Sequence, residues 1–253
     1  MLASAEPFSA AGGPDGALVL HGFTGSPQSV RGLAQAFAAA GFAVESPCLP
    51  GHGTVIDDLL HRRWDDWLGA VERAYLRLAD RCARVVLAGQ STGGSLACRV
   101  AVAHPEVAGL AVVNPFIDPP APGLRDLLRT ALAQGFDCIP GGVGPDVADP
   151  DAVESGYHAL PVLAALSLFE GLDDLVPRLG AIACPTLIFT SVNDHVVPPV
   201  SSDILARAVA GPVERVRLER SYHVATLDYD RHLIEARAVE FATRLGGPAT
   251  LVG

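Results

Sequence analysis

The chain has no basic run anywhere. Acidic residues outnumber basic ones, 28 against 18, and the net charge is −10. A surface that grips nucleic-acid phosphates needs a basic stripe, so nucleic acid is excluded as a partner. Long apolar runs are missing too. The most hydrophobic stretches are broken by prolines, glycines and charges, and none reaches the roughly 20 residues of a membrane span. Met1–Gly16 has neither a positive n-region nor an apolar h-region, so it is read as a flexible lead-in and not as a signal peptide. Cysteines are few and unpatterned: Cys48, Cys82, Cys98, Cys138 and Cys184 are odd in number and include no CxxC pair. That excludes a disulfide frame and a zinc site, and points to reduced, buried thiols in a cytoplasmic protein. No metal or other cofactor is expected, and there are no repeats.

What is present is apolar residue, 49% of 253 positions, enough for one large domain. Short apolar runs alternate with helical periodicity. Ala17–Leu20, Phe42–Ser46, Arg84–Ala88, Gly109–Val113, Thr186–Thr190 and Glu214–Leu218 read as strands. Between them, Val30, Leu33, Ala34, Phe37 and Ala38 recur at helical spacing, with Ser26 as the expected N-cap, Pro27 in the first turn and Gly41 as the stop. Trp64–Ala79 and Arg231–Arg244 read as further helices. Strands separated by helices imply a mostly parallel sheet covered on both faces, an α/β fold. One stretch of about seventy residues, Asn114 to Cys184, offers no convincing strand and reads as an inserted helical cap.

The most informative segment is Gly89-Gln90-Ser91-Thr92-Gly93, between the strand Arg84–Ala88 and a small-residue helix. Glycines two before and two after the serine allow a sharp turn that holds the hydroxyl above the sheet edge, the arrangement of a nucleophile elbow. In open α/β sheets ligands bind beyond the carboxyl ends of strands. Two more polar residues fall there: Asp194 after Thr186–Thr190, and His223 after Glu214–Leu218. The chain order is serine, acid, histidine. A serine hydroxyl is a weak nucleophile until an imidazole takes its proton, and a carboxylate fixes the imidazole tautomer. The backbone N–H groups of Phe23, in the loop after Ala17–Leu20, and of Thr92 are the expected oxyanion donors. Asp118, after Gly109–Val113, is the rival acid; Asp228 and Asp230 also lie nearby, and Asp228 reads as ordering its loop or capping the last helix. His21 and His52 read as braces of their loops and His195 as packing.

Together, His21-Gly22-Phe23-Thr24-Gly25-Ser26-Pro27, Pro50-Gly51-His52-Gly53, Gly89–Gly93, Asn193-Asp194-His195-Val196-Val197-Pro198-Pro199 and Ser221–Asp230 resemble the bacterial carboxylesterase and monoacylglycerol lipase branch of the α/β-hydrolases. The resemblance implies an α/β-hydrolase core at about 14–114 and 184–246 with a cap at about 115–183. It implies a triad of Ser91, Asp194 and His223, and hydrolysis of small acyl esters including glycerol esters. Thr92 stands where methionine is common in that branch, and its side chain is expected at the floor of the acyl pocket. Ile139, Val143, Leu163 and Leu166 are the expected acyl lining. His158 sits where relatives can carry a carboxylate, on the alcohol side. The cap is the part expected to touch a lipid surface transiently. The same three residues would serve a thioesterase or a C–C bond hydrolase, and a non-turnover receptor on this scaffold is the reading outside enzymes. A dehalogenase or epoxide hydrolase would need a carboxylate at position 91.

Overall fold

The structure, a computed structural model, describes Leu2, residues 4–118, Pro120, residues 122–141 and residues 144–246. The alternating pattern folds as β1 (Phe8–Ala10), β2 (Asp15–Leu20), α1 (Arg31–Ala39), β3 (Ala43–Ser46), α2 (Asp57–Leu60), α3 (Trp64–Ala79), β4 (Arg84–Gln90), α4 (Thr92–Ala103) and β5 (Gly109–Val113). Then come α5 (Pro122–Ala133), β6 (Cys138–Pro140), β7 (Ala159–Pro161) and α6 (Val162–Leu175), followed by β8 (Thr186–Ser191), α7 (Val200–Ala208), β9 (Val213–Leu218) and α8 (Arg231–Gly246). Seven strands form one sheet in the order β1-β3-β2-β4-β5-β8-β9. All pair in parallel except β1, which runs antiparallel along β3.

The inner strands β2, β4, β5 and β8 are buried almost throughout because both faces of the sheet are covered. Side chains alternate across the sheet. Leu18, Leu20, Leu87, Leu110, Val112 and Ile188 point to the side packed by α3, α4 and α6. Ala17, Val19, Val86, Val113 and Phe189 point to the opposite side, against Leu33, Phe37, Ile234 and Phe241 of α1 and α8. The inward stripe of α3 is Trp67, Val71, Ala74, Tyr75 and Leu78, all buried, at the spacing its sequence predicts.

Four local expectations change. The lead-in is not loose throughout: Phe8–Ala10 pairs with β3 and Ala5 is fully buried. Three residues are too few to carry a period. Ser26 is not a side-chain cap. The N–H of Ser29 donates to the Ser26 carbonyl at 3.0 Å, the Ser26 hydroxyl has no partner among the described residues, and Pro27–Val30 is a 3-10 turn before the α-helix begins at Arg31. The insertion between β5 and β8 holds a short antiparallel ladder, β6 with β7, apart from the main sheet. Helix α7, entered from Pro198-Pro199, was not read from the pattern. Gly247–Gly253 lie outside the described residues.

Candidate active site

Three strand ends meet above the carboxyl edge of the sheet. Strand β4 pairs with β2 on one side and β5 on the other, and it delivers Ser91 directly to the N-terminus of α4. Ser91 has φ +55° and ψ −122°, a conformation that costs a side-chain-bearing residue of order 1–3 kcal/mol. Its neighbours permit it by having no side chain. A Cβ on Gly89 would lie 2.4 Å from the Gly93 carbonyl oxygen, and one on Gly93 would lie 2.3 Å from the Leu20 carbonyl oxygen. Both glycines are present for close approach, since neither has positive φ.

The His223 ring is held from one side by Asp194, whose Oδ2 lies 2.8 Å from Nδ1. The Asp194 side chain is almost wholly buried, 2% exposed, and that of His223 is 8% exposed. Asp194 Oδ1 in turn accepts the backbone N–H groups of Val196 (2.9 Å) and Val197 (2.7 Å). The backbone of His223 is also fixed. Its carbonyl accepts Asn114 Nδ2 at 2.9 Å and Gln90 Nε2 at 3.3 Å, and its N–H donates to Asp146 Oδ2 at 3.0 Å. Ser91 and His223 border one cavity of about 430 Å³, and no hydrogen bond joins the hydroxyl to the ring among the described residues. Asp118 borders the same cavity without a hydrogen bond to His223.

Beside Ser91, the loop after β2 brings Phe23 to the cavity wall. Among the described residues no hydrogen bond takes the backbone N–H of Phe23 or of Thr92, and both border the cavity. Two buried histidines hold that loop. His21 Nε2 accepts the N–H of Leu49 (3.0 Å), and His52 Nε2 accepts the N–H of Thr24 (3.1 Å). Burial pushes His21 down to about 4, partly opposed by the Gly22 carbonyl. Burial and the neighbouring His21 push His52 down to about 3. Both rings are therefore neutral acceptors at pH 7, which suits a brace and not a base. Trp67 closes the set, its Nε1 donating to the Pro50 carbonyl at 3.0 Å and its ring edge-on to Phe23 at 5.5 Å.

The inserted segment is stitched to both loops. The N–H of Tyr157 donates to the Thr24 carbonyl at 2.9 Å, and Gln28 bonds the backbone at Val153 and Ser155. On the other flank the fully buried Asp228 carboxylate accepts the N–H groups of Ala148 (2.7 Å), Asp149 (3.0 Å), Tyr222 (2.9 Å) and Tyr229 (2.8 Å). Asp228 thus orders its loop, one of the two roles read for it.

The acyl-side expectations fare differently. Leu163 and Leu166 do not border the cavity; Ala165, Leu168 and Phe169 of the same helix do. Helix α6 is buried on nearly every side, so its period could not tell which stripe faces the cavity. Ile139 packs on the core beside its strand partner Leu160, and Leu160 is the one that reaches the cavity. His158 is exposed and off the cavity wall, and Val143 lies outside the described residues. A carboxyl does reach the cavity, that of Glu154. Burial raises it above the ordinary carboxylate range, partly opposed by His223 and His158, and among the described residues no hydrogen bond occupies it. Asn114, Gln90, Asp146 and Glu154 were not read from the sequence. Asn114, a polar residue directly past β5, had the same signal as Asp194.

Among the described residues, no group of three His, Cys, Asp or Glu side chains could hold a metal ion. No described helix is long and apolar enough to cross a membrane. All five cysteines are free thiols, but only Cys98 is buried as expected; Cys48, Cys82, Cys138 and Cys184 are half-buried.

Residues 17–253 match the alpha/beta hydrolase family. The chain is 40% identical over 248 residues to the thermostable monoacylglycerol lipase of Bacillus sp. (strain H-257), covering 98% of each. It is 24% identical to a carboxylesterase of Bacillus subtilis (strain 168), over 95% of this chain and 97% of the esterase. A solved structure from LipS and LipT, two metagenome-derived lipolytic enzymes, superposes with a TM-score of 0.90 at 36% identity, covering 96% of this chain and 99% of that one.

Proposed function

The chain belongs to the alpha/beta hydrolase family and is a carboxylic ester hydrolase, and within that class we propose that it cleaves monoacylglycerols and similar small acyl esters through an acyl-enzyme on Ser91. The observation that carries this reading is the pinned imidazole: His223, held by Asp194 at 2.8 Å, faces the cavity that Ser91 also borders. His223 Nε2 takes the hydroxyl proton as Oγ bonds to the ester carbonyl carbon. The carbonyl oxygen becomes an oxyanion received by the N–H groups of Phe23 and Thr92. When the tetrahedral intermediate collapses, the C–O bond to the alcohol breaks and His223 returns the proton to the leaving oxygen. Water, deprotonated by the same ring, then releases the acid. Each oxyanion donor is worth about 10²–10³ in rate.

The cavity supports this substrate class. Its wall is apolar at Phe116, Leu160, Leu168 and Phe169, and carries two carboxyls, Glu154 and Asp118, neither hydrogen-bonded among the described residues. An acyl chain fits the first part, and the vicinal hydroxyls of a glycerol headgroup suit the second. A volume of about 430 Å³ lies low in the range of small-molecule pockets and has no room for three acyl chains. The free thiols suit a cytoplasmic setting.

The test is a series of p-nitrophenyl esters run beside mono-, di- and triacylglycerols. Monoacylglycerols are expected to turn over and triacylglycerols to be poor substrates. Ser91→Ala is expected to lose at least about 10⁴ in rate. Glu154→Gln is expected to raise KM for monoacylglycerol severalfold and leave p-nitrophenyl butyrate unaffected. Strong triacylglycerol hydrolysis, or an active Ser91→Ala, overturns the reading.

A further inference from the structure

His223 is restrained in three directions, and one of the restraints comes from the segment inserted between β5 and β8. Asp194 holds the ring, and Asn114 and Gln90 hold the carbonyl. The N–H is held by Asp146, from the segment between β6 and β7. We propose that Asp146 is a positioning residue, a carboxylate supplied by the cap that fixes the His223 loop and the Asp194 loop relative to one another. The proposal rests on the reading of Ser91, Asp194 and His223 as the catalytic set.

One carboxylate touches both loops. Asp146 Oδ2 accepts the N–H of His223 at 3.0 Å and the N–H of His195 at 3.2 Å. Its Oδ1 lies 2.8 Å from His195 Nδ1. His195 directly follows Asp194 in the chain, so Asp146 clamps the acid's neighbour and the base itself. The Asp146 carbonyl also accepts the N–H of Val224 at 3.0 Å. The exchange is reciprocal, because Asp228 of the base loop sends its carboxylate to Ala148 and Asp149, next to Asp146. The side chain of Asp146 is only 15% exposed, so water is a poor substitute for these bonds. Hydrogen bonds to a charged acceptor are shorter and stronger than neutral ones, and a loop N–H left without one in a mostly buried place drives the backbone to move.

Proton transfer is sensitive to sub-ångström placement: a shift of about 1 Å from a change remote from the chemistry can cost 10²-fold in rate. A residue that only closed the cap would act on binding and on stability. A residue that sets the distance between base and nucleophile acts on the chemical step. The two are separated by kcat against KM. Asp146→Ala and Asp146→Ser are expected to lower kcat on p-nitrophenyl butyrate about 10- to 100-fold, with KM within threefold of wild type. Asp146→Asn keeps an acceptor oxygen for both backbone N–H groups, and its amide can donate to the other His195 tautomer; it is expected to recover kcat to within about threefold. Labelling of Ser91 by a fluorophosphonate, which needs the base but no ester turnover, is expected to slow in the same order.

The proposal is overturned if Ala and Ser leave kcat and the labelling rate within threefold, if they raise KM alone, or if Asn is no better than Ala. It is distinct from the fate of the esterase reading: a wild type labelled by fluorophosphonate yet inactive on esters removes the substrate class and leaves the Asp146 comparison intact. Should Asp146→Ala fail to fold, Ser and Asn carry the comparison.

Discussion

Asp194→Asn has a forced outcome in this structure. Asp194 Oδ1 accepts two backbone N–H groups, from Val196 and Val197, at 2.9 and 2.7 Å. An asparagine there must place its carbonyl oxygen on those donors, because turning the amide nitrogen toward them would face donor to donor and strand both N–H groups. The amide NH₂ then points at His223 Nδ1. That nitrogen must become the acceptor, so the proton moves to Nε2, the position that has to be empty to receive the Ser91 proton. The ring stays in place in the wrong tautomer. Loss of this kind is worth about 10⁴ in kcat, or about 5.4 kcal/mol at 1.36 kcal/mol per decade. The fold is unburdened, since both loop N–H groups keep their acceptor, and the melting temperature is expected to stay within a few degrees. The assay is kcat on p-nitrophenyl butyrate with a thermal melt on the same sample. A folded Asp194→Asn with activity within tenfold of wild type refutes the tautomer argument and moves the acid role to Asp118, a carboxylate on the cavity wall after β5.

Further outcomes are open to measurement. Gly93→Ala sets a methyl 2.3 Å from the Leu20 carbonyl oxygen and 2.6 Å from that of His21; backbone must move, and the loss is expected at or above the upper end of the usual 1–3 kcal/mol for overpacking, read as the urea midpoint. His21 and His52 carry depressed values of about 4 and about 3, while the unfolded rings titrate near 6.5. Their stabilisation is whole above pH 6.5 and is lost as pH falls toward 4, so unfolding at pH 5 takes up nearly two extra protons. The slope of unfolding free energy against pH measures this, and His52→Gln is expected to remove close to one of them. His104 runs the other way: burial would lower it, but the carboxylates of Glu72 and Glu106 outweigh burial and raise it. The advantage of wild type over His104→Gln is expected to be full below about pH 6.5 and to shrink as pH rises through the raised value. A constant gap up to pH 9 would show that His104 is held by packing alone.

The sheet was legible because its signal is local and repeated. Runs such as Ala17–Leu20 and Arg84–Ala88 are apolar without a break, and helix α3 announces its buried stripe at helical spacing. The elbow was legible because tight turns have few solutions: only glycine fits where Gly89 and Gly93 nearly touch other backbone. What could not be read were contacts between segments far apart in sequence and without period. Asp146 meets His223 across 77 positions, from a loop of proline, glycine and acid that has no pattern. The cavity-facing stripe of α6 failed for the opposite reason. Valine, leucine and alanine surround that helix, so the sequence offers several equivalent stripes where the cavity uses one.

The placement of β9 has a consequence for how activity is lost. His223 follows the outermost strand of the sheet, paired on one side only, to β8. Its exposed residues are Arg215 and Arg217, with half-buried Glu214 between them and the strand start, charges that discourage another chain from adding there. Margins fray before centres. On the role proposed for His223, gentle heating is expected to silence turnover while circular dichroism still reports a native sheet.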